Sequence, residues 1–553
     1  MGGALRDVAA AEMGRAVGAA AAAEKVLRVE LRGAESSLDP AQATDVYSAA
    51  LIQSIYETPL IYDYLARPVR LVPGVLASLP RSADDGRTWV LDIRPGLRFA
   101  PDPLFASSGR AVTAEDLRFS LQRLGDPALH SPYAFLLTEH IAHMQVRAAL
   151  QLSITLRQAE PDFPRFLALT ATSVVPAAIV RADGGNLDVH PVGSGPYRLV
   201  ERVRGAHFTL LANPDYRARS WDFTSSDPDL QGLQARMHGR PVPAIQRVEV
   251  QVIEEPQSAW LTFRQGQLDL FWLQDVLAPV ALSSLPAGVL LDRIANPVLN
   301  YFVFNVRDRD FGGMQPAAIA LRRAVFMAID DRAYVHEVRA DQAQLLAYPV
   351  PPGVPGEVAG YQGVLAFDPV AANALLDAFG FRRGSAGLRM RPDGRALVLR
   401  FNSRPDATGR AEEEFLRRAL ARIGIGVQAE RMPVSEFLKA ARACQLGFAR
   451  HDWFADVPDG NDFFQLLSSG RIGATNYSCF QDPDWEQSWQ RARAERDPTL
   501  QQAAYLRLAR QAEVLGVWKP SHTSYRNVLV NPRVHGFHSH PFLWSVWQYL
   551  DVD

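Results

Sequence analysis

Residues 396–451 read ALVLRFNSRPDATGRAEEEFLRRALARIGIGVQAERMPVSEFLKAARACQLGFARH. Three short runs in this stretch, 396–402, 426–431 and 446–451, have the length and apolar content of strands. The two longer segments between them, 408–423 and 434–443, read as helices. Strands that alternate with helices build α/β lobes around central sheets. Outward from this stretch the alternation continues. A helix is predicted over 369–379, and 317–329 carries Leu321, Val325 and Ile329 on one helical face, with 332–339 continuing helically. Before them, Asn300 to Asn305 (NYFVFN) reads as a short aromatic strand.

The first half is more mixed. KVLRVELR, residues 25–32, is the first strand; a Ser-Ser-Leu-Asp-Pro turn follows, and then a helix over 41–56 that ends before Pro59. A strand at 88–93 is stopped by Pro95-Gly96. Thr113 caps a helix over 113–124 whose first turn holds Glu115 and Asp116, where the helix dipole favours acidic groups. A strand over 151–157 precedes an acid-led helix from Pro161. The turn cluster Gly193-Ser-Gly-Pro196 opens a hairpin, with 197–203 and 207–211 joined at Arg204-Gly205. A strand (244–253), a helix (256–264) and a strand (268–271) complete this part. No repeat of solenoid period is visible.

Composition narrows the function classes. At 553 residues the chain has room for roughly three to four domain-sized units. Its 48% hydrophobic and 21% charged residues are those of a packed globular protein, which excludes a disordered tail or a collagen-like rod. With Lys+Arg 58 against Asp+Glu 60, no surplus of cations exists to displace counterions from phosphates, so no nucleic-acid partner is expected. No stretch of 18 or more uncharged apolar residues occurs, so no membrane-spanning helix is expected. Only three lysines (Lys25, Lys439, Lys519) stand against 55 arginines, which leaves few places for a Schiff-base lysine. Residues 1–25 carry Arg6, Arg15 and the run Ala16 to Ala23; a degenerate export signal and an Ala-rich helical leader fit equally.

The motifs of common enzymes are missing: G-x-S-x-G, G-x-x-x-x-G-K-[ST], H-E-x-x-H and C-x-x-C do not occur. His336-Glu337 lacks a second histidine four residues on, and Ser194 reads as part of a turn. His535-x-x-His538-x-His540 and His140-x-x-His143 could meet on one ion, but no cysteine or carboxylate beside them completes a site. They read as polar residues on loops and strand ends, and neither a metal nor a cofactor is expected. Cys444 and Cys479 stand 35 residues apart. Free buried thiols and one disulfide are both open, with the thiols preferred because no framework of cysteines supports a bridge.

Several stretches, in order, resemble one family. Ser37-Leu-Asp-Pro-Ala-Gln-Ala-Thr-Asp45 is followed by a helix; residues 89–117, WVLDIRPGLRFAPDPLFASSGRAVTAEDL, carry a strand, an R-x-G-x-x-F turn and a T-A-x-D helix start, with an insertion between Phe99 and Val112. Then come Pro191-Val-Gly-Ser-Gly-Pro-Tyr197, Phe263-Arg-Gln-Gly-Gln-Leu-Asp269, Leu321-Arg-Arg-Ala-Val-Phe-Met-Ala-Ile-Asp330 and Trp453-Phe-Ala-Asp-Val-Pro-Asp-Gly-Asn-Asp-Phe463. Together they resemble the extracellular solute-binding protein family 5, the peptide-binding receptors of bacterial ABC importers.

The resemblance implies an α/β, two-lobed fold of the periplasmic-binding-protein type (type II, cluster C). Lobe I is expected over 26–50, 171–297 and 520–553, an extra subdomain of lobe I over 51–170, and lobe II over 298–519. Two crossing segments, near 296–305 and 518–526, would form the hinge. The implied function is capture of a small solute, most often a short peptide, between the lobes and its delivery to an ABC permease complex in the inner membrane. A periplasmic monomer that performs no catalysis is the corresponding expectation. A sensor of the same fold, or a secreted α/β hydrolase, is the alternative. By the same resemblance Asp456 is the carboxylate that would receive a peptide ammonium, and Trp453 an aromatic wall. Thr44 and Asp45 are expected on the lobe I side, Asn300, Tyr301 and Phe302 on the first crossing, and His451 beside the pocket.

Overall fold

The alternation at 396–451 forms as expected. Val398–Ser403 pairs in parallel with both Gly426–Arg431 and Phe448–Phe454. Parallel neighbours need a long crossover, which helices Ala407–Ala421 and Val434–Arg442 supply. In this computed structural model residues 24–105, 110–182, 186–385 and 387–553 are described. The leader expected over 1–25 lies outside them except for its last two residues, as do residues 106–109 of the expected insertion.

Val298–Phe304 is a middle strand of this lobe, with Phe448–Phe454 and Trp518–Val530 antiparallel on its two sides. All seven of its residues are buried. Its alternate side chains feed two cores. Phe302 and Phe304 pack with Phe326, Phe401 and Phe448 under the helices, and the Phe304 and Phe448 rings are 4.6 Å apart. Leu299, Tyr301 and Val303 join Trp485, Tyr505 and Trp518 on the opposite face.

Trp518–Val530 ties the lobes together. Its first half pairs with Val298–Phe304 and Ala343–Leu345, its second half with Leu270–Leu273 and Leu290–Ala295. Pro520, which has no N–H to give a ladder, stands opposite Tyr301 beside a register shift. The neighbouring Lys519 is also buried; its ammonium donates to the carbonyls of Phe326 and Ile329 and pairs with Asp331 at 2.7 Å. One of the chain's three lysines thus satisfies carbonyls at a helix C-terminus.

The other lobe holds a sheet in the order Val26–Leu31, Arg247–Val252, His207–Ala212, Tyr197–Val203, with the first pair parallel and the expected hairpin at its edge. The helix expected over 41–56 is Val46–Ile55. Asp39 and Asp45 account for the later start: the Asp39 carbonyl folds residues 39–43 into a turn, and the Asp45 carboxylate caps the helix by accepting from Ser48 N. Ala50, Leu51, Ile52 and Ile55 enter this lobe's core as one unit. This helix spans residue 51, the expected start of the added subdomain. Its sheet runs Arg81–Ser82, Thr88–Asp92, Gln151–Leu156, Ile141–Ala148, and Ala114–Arg123 covers it from a Thr113–Asp116 capping box. The segment after Pro161 is a short 3-10 turn, Phe163–Ala168, and not an α-helix. The 191–197 turn has glycine for a steric reason. A Cβ on Gly193 would lie 2.1 Å from the Ile55 carbonyl oxygen, and one on Gly195 2.6 Å from it.

The preference for free thiols is overturned: Cys444 and Cys479 are disulfide-bonded, with Cα atoms 6.1 Å apart. Cys444 follows helix Val434–Arg442 and Cys479 lies in the loop before Pro483–Ala494. The fold, not the spacing, brings them into bonding range.

Candidate functional site

Val46 begins a helix of lobe I and Phe454 ends a strand of lobe II, and both line one cavity of about 460 Å3. Arg32, Trp272 and Trp544 close it from lobe I, Asn296, Tyr525 and Arg526 from the crossing segments, and Arg339 from lobe II. The lobes touch around it: the rings of Phe454 and Trp544 are 5.2 Å apart, and Tyr62 of the subdomain packs into a lobe II core.

The cavity wall is cationic, with three arginines against Asp275 alone. Arg339 pairs with that aspartate at 2.5 Å. Arg526 is buried without a carboxylate and donates to Asn296 Oδ1 (3.1 Å) and to the carbonyls of His540 (2.7 Å), Pro541 (3.3 Å) and Leu543 (3.5 Å). Burial pushes its pKa down to about 9. Its guanidinium lies 4.6 Å from the Trp544 ring centre and 5.4 Å from that of Trp272.

Asp456 stands two residues beyond Phe454. Its side chain is exposed, yet enough protein surrounds it to raise its pKa above the usual carboxylate range. Solvent access combined with close protein walls is the environment of a cleft. The neighbouring Asp462 is fully enclosed, and its pKa is raised by burial and by the charge of Asp456. Asp462 Oδ2 accepts from Trp453 Nε1 and from Asp456 N, both at 2.9 Å. Across from these groups lies Tyr133 of the subdomain, whose pKa is pushed up to about 12 by burial and then by the charges of Asp456 and Asp45. Its hydroxyl donates to the Ala43 carbonyl (3.3 Å). Tyr133 thus touches the 43–45 turn and feels the charge of Asp456.

The sequence-derived candidates separate on this geometry. Thr44 and Asp456 are exposed and Trp453 is half-buried, and none of the three lines the cavity of about 460 Å3. The Asp45 carboxylate is spent on Ser36 and on the backbone and hydroxyl of Ser48. Asn300, Tyr301 and Phe302 are corrections. The strand that carries them is central and covered on both faces, so none of the three opens to the cavity. Phe302 is core, Tyr301 packs on Trp518 (5.5 Å between ring centres), and Asn300 accepts from Arg450 at 2.8 Å. His451 is corrected as well: it lies mid-strand among Tyr477, Phe437 and Tyr301, and burial drives its pKa down to about 3, so it is a neutral core ring. Tyr133 and the cavity residues Arg32, Trp272, Arg339, Arg526 and Trp544 were not singled out in sequence. They come from six separate segments, and no local motif joins them.

Ion pairs join the 81–168 region to lobe II: Arg165–Asp459, Glu139–Arg471 (3.7 Å) and Asp85–Arg496 (3.1 Å). The last two are exposed and contribute little, whereas Arg165 and Asp459 are mostly buried. Arg165→Ala is expected to favour separated lobes and weaken apparent ligand affinity about fivefold. A larger ligand-free radius of gyration by small-angle X-ray scattering checks it.

Comparison with known proteins agrees with this geometry. The family model described as "Bacterial extracellular solute-binding proteins, family 5 Middle" matches residues 70–474. Di/tripeptide-binding protein 2 of Pseudomonas aeruginosa (strain UCBPP-PA14) is 24% identical over 518 residues, covering 90% of this chain and 89% of its own. The probable deoxycholate-binding periplasmic protein YgiS of Escherichia coli (strain K12) is 24% identical over 525 residues, with 89% and 86% covered. Among solved structures, HbpA2 from Haemophilus parasuis superposes with a TM-score of 0.79 at 19% identity, covering 96% of this chain and 100% of that one.

Proposed function

This chain belongs to the bacterial extracellular solute-binding proteins of family 5, and from that premise we propose that it captures a short peptide between its lobes in the periplasm and hands it to an ABC permease. The observation that carries this reading is the open cavity of about 460 Å3 lined jointly by both lobes and the crossing segments, a volume within the range of about 300–1,000 Å3 usual for small-ligand sites. A peptide ligand is supported by two features. Asp456 offers a carboxylate to an ammonium that would otherwise be enclosed unpaired at a cost of several kcal/mol, and a relative carries the name of a di/tripeptide-binding protein. The Cys444–Cys479 disulfide suits an oxidising compartment outside the cytoplasm.

Binding then works by population shift. Ligand contacts to both walls exist only when the lobes are together, so ligand stabilises the closed state by its differential affinity for it. The long strand Trp518–Val530 belongs to the sheets of both lobes, so movement is confined to torsions where it and the 296–298 segment pass between them. The protein releases its ligand chemically unchanged and acts as a monomer.

Native mass spectrometry of protein purified without denaturation should find a bound molecule of peptide mass at one-to-one stoichiometry. Calorimetry with the identified peptide should give a dissociation constant near micromolar, or about −8 kcal/mol. Recovery of a chemically altered ligand, or binding of no peptide, would overturn the reading.

A further inference from the structure

The cavity's three arginines are not equivalent. Arg339 is committed to Asp275, and Arg526 has spent its donors on Asn296 Oδ1 and the carbonyls of His540, Pro541 and Leu543. Arg32 has neither kind of partner. Among the described residues it forms no ion pair or hydrogen bond, and its Nε is buried with no acceptor. What holds it is the Trp272 ring, with the guanidinium carbon 5.4 Å from the ring centre. Arg526 lies the same distance from that ring, so the indole has two cations near it.

Arg32 feels the charges of two carboxyls, Glu30 and Asp275, but makes a direct ion pair with neither. Glu30, two residues earlier on the strand, gives Oε1 to the backbone N–H of Trp272 (3.0 Å), and burial raises its pKa to about 7. Asp275 is held by Arg339. A partly buried guanidinium with free donors, on the wall of a cavity rich in aromatic rings, is suited to a planar anion, because its fork matches both oxygens of a carboxylate.

We propose that Arg32 receives the carboxylate of the bound ligand, with Trp272 and Arg526 as positioning residues that fix its plane. This rests on the peptide reading above and deepens it. Arg32 would take the C-terminal carboxylate, leaving the ammonium to Asp456, two residues beyond the cavity residue Phe454.

The test uses the full chain and four probes: Ala-Phe, Ala-Ala-Phe and their C-terminal amides, with affinity read by calorimetry. The wild type should prefer acid over amide by about 10- to 100-fold. In Arg32→Gln that preference should fall to near unity, with amide affinity little changed. Arg32→Lys, which keeps the charge without the fork, should show an intermediate preference and serves in place of Arg32→Gln if that variant does not fold. Retention of the acid preference in these variants would overturn the assignment and leave the peptide reading standing. Equal losses for acid and amide would overturn it in favour of a structural role. Binding of neither acid by the wild type would count against the peptide reading itself, and the proposal would fall with it.

Discussion

Asp456→Asn should weaken binding of a short peptide with a free amino terminus by about 100-fold or more, because removing one partner of an enclosed ion pair costs about 3–5 kcal/mol. An N-acetylated version of the peptide should bind the wild type weakly and the variant no worse, which separates an ammonium contact from a general loss of structure. Calorimetry on the four combinations measures the coupling directly. Equal losses for both peptides would remove Asp456 from the site. The raised pKa values of Asp456 and Asp462 add a pH signature. A bound ammonium favours the ionised carboxylate and so lowers its pKa, which means that binding near neutrality releases protons. As pH falls from about 7.5 to about 5, the ligand must displace a proton held more often, and affinity should drop. Repeating the titration in buffers of different ionisation enthalpy counts the protons released.

The double substitution Cys444→Ser, Cys479→Ser should destabilise the fold by about 3–4 kcal/mol, the loop-closure cost for a span of this length. The bond joins the end of helix Val434–Arg442 to the loop before Pro483–Ala494. That loop is already held by Val306 N donating to the Ser478 carbonyl (2.8 Å), and the Asn305 side chain donates to the Cys444 carbonyl (2.7 Å). Those contacts remain in the variant, so the loss should appear as a lower urea midpoint and not as a different fold. The wild type under reductant should approach the same midpoint. A change well under 1 kcal/mol would mean that the unfolded chain is already restricted in this region.

Elements whose cause is local were legible in the sequence: the helix at Pro256–Arg264, the hairpin at Tyr197–Val203 and His207–Ala212, the capped helix at Ala114–Arg123 and the strand–helix alternation of 396–451. The errors lie where two local causes compete. Residues 41–45 have helical composition, but the Asp39 turn and the Asp45 cap delay the helix. The run after Pro161 starts like a helix and closes as a 3-10 turn. Family motifs located the 453–463 segment and hence Asp456, but could not say which residues of a strand face the ligand.

Sequence by itself determined the α/β class, which follows from periodicity and turn chemistry, and an ordered set of short motifs carried the resemblance to the family and with it the two-lobed fold. Tertiary structure alone decided the cysteine pairing, the burial of Asn300, Tyr301, Phe302 and His451, and the meeting of Arg32, Arg339 and Arg526 around one cavity. The physical reason is the same in each case. Whether a side chain is core, bonded or available depends on what covers it, and the covering atoms come from segments hundreds of residues away. Arg32 and Arg526 lie near the same indole although 494 positions separate them in the chain.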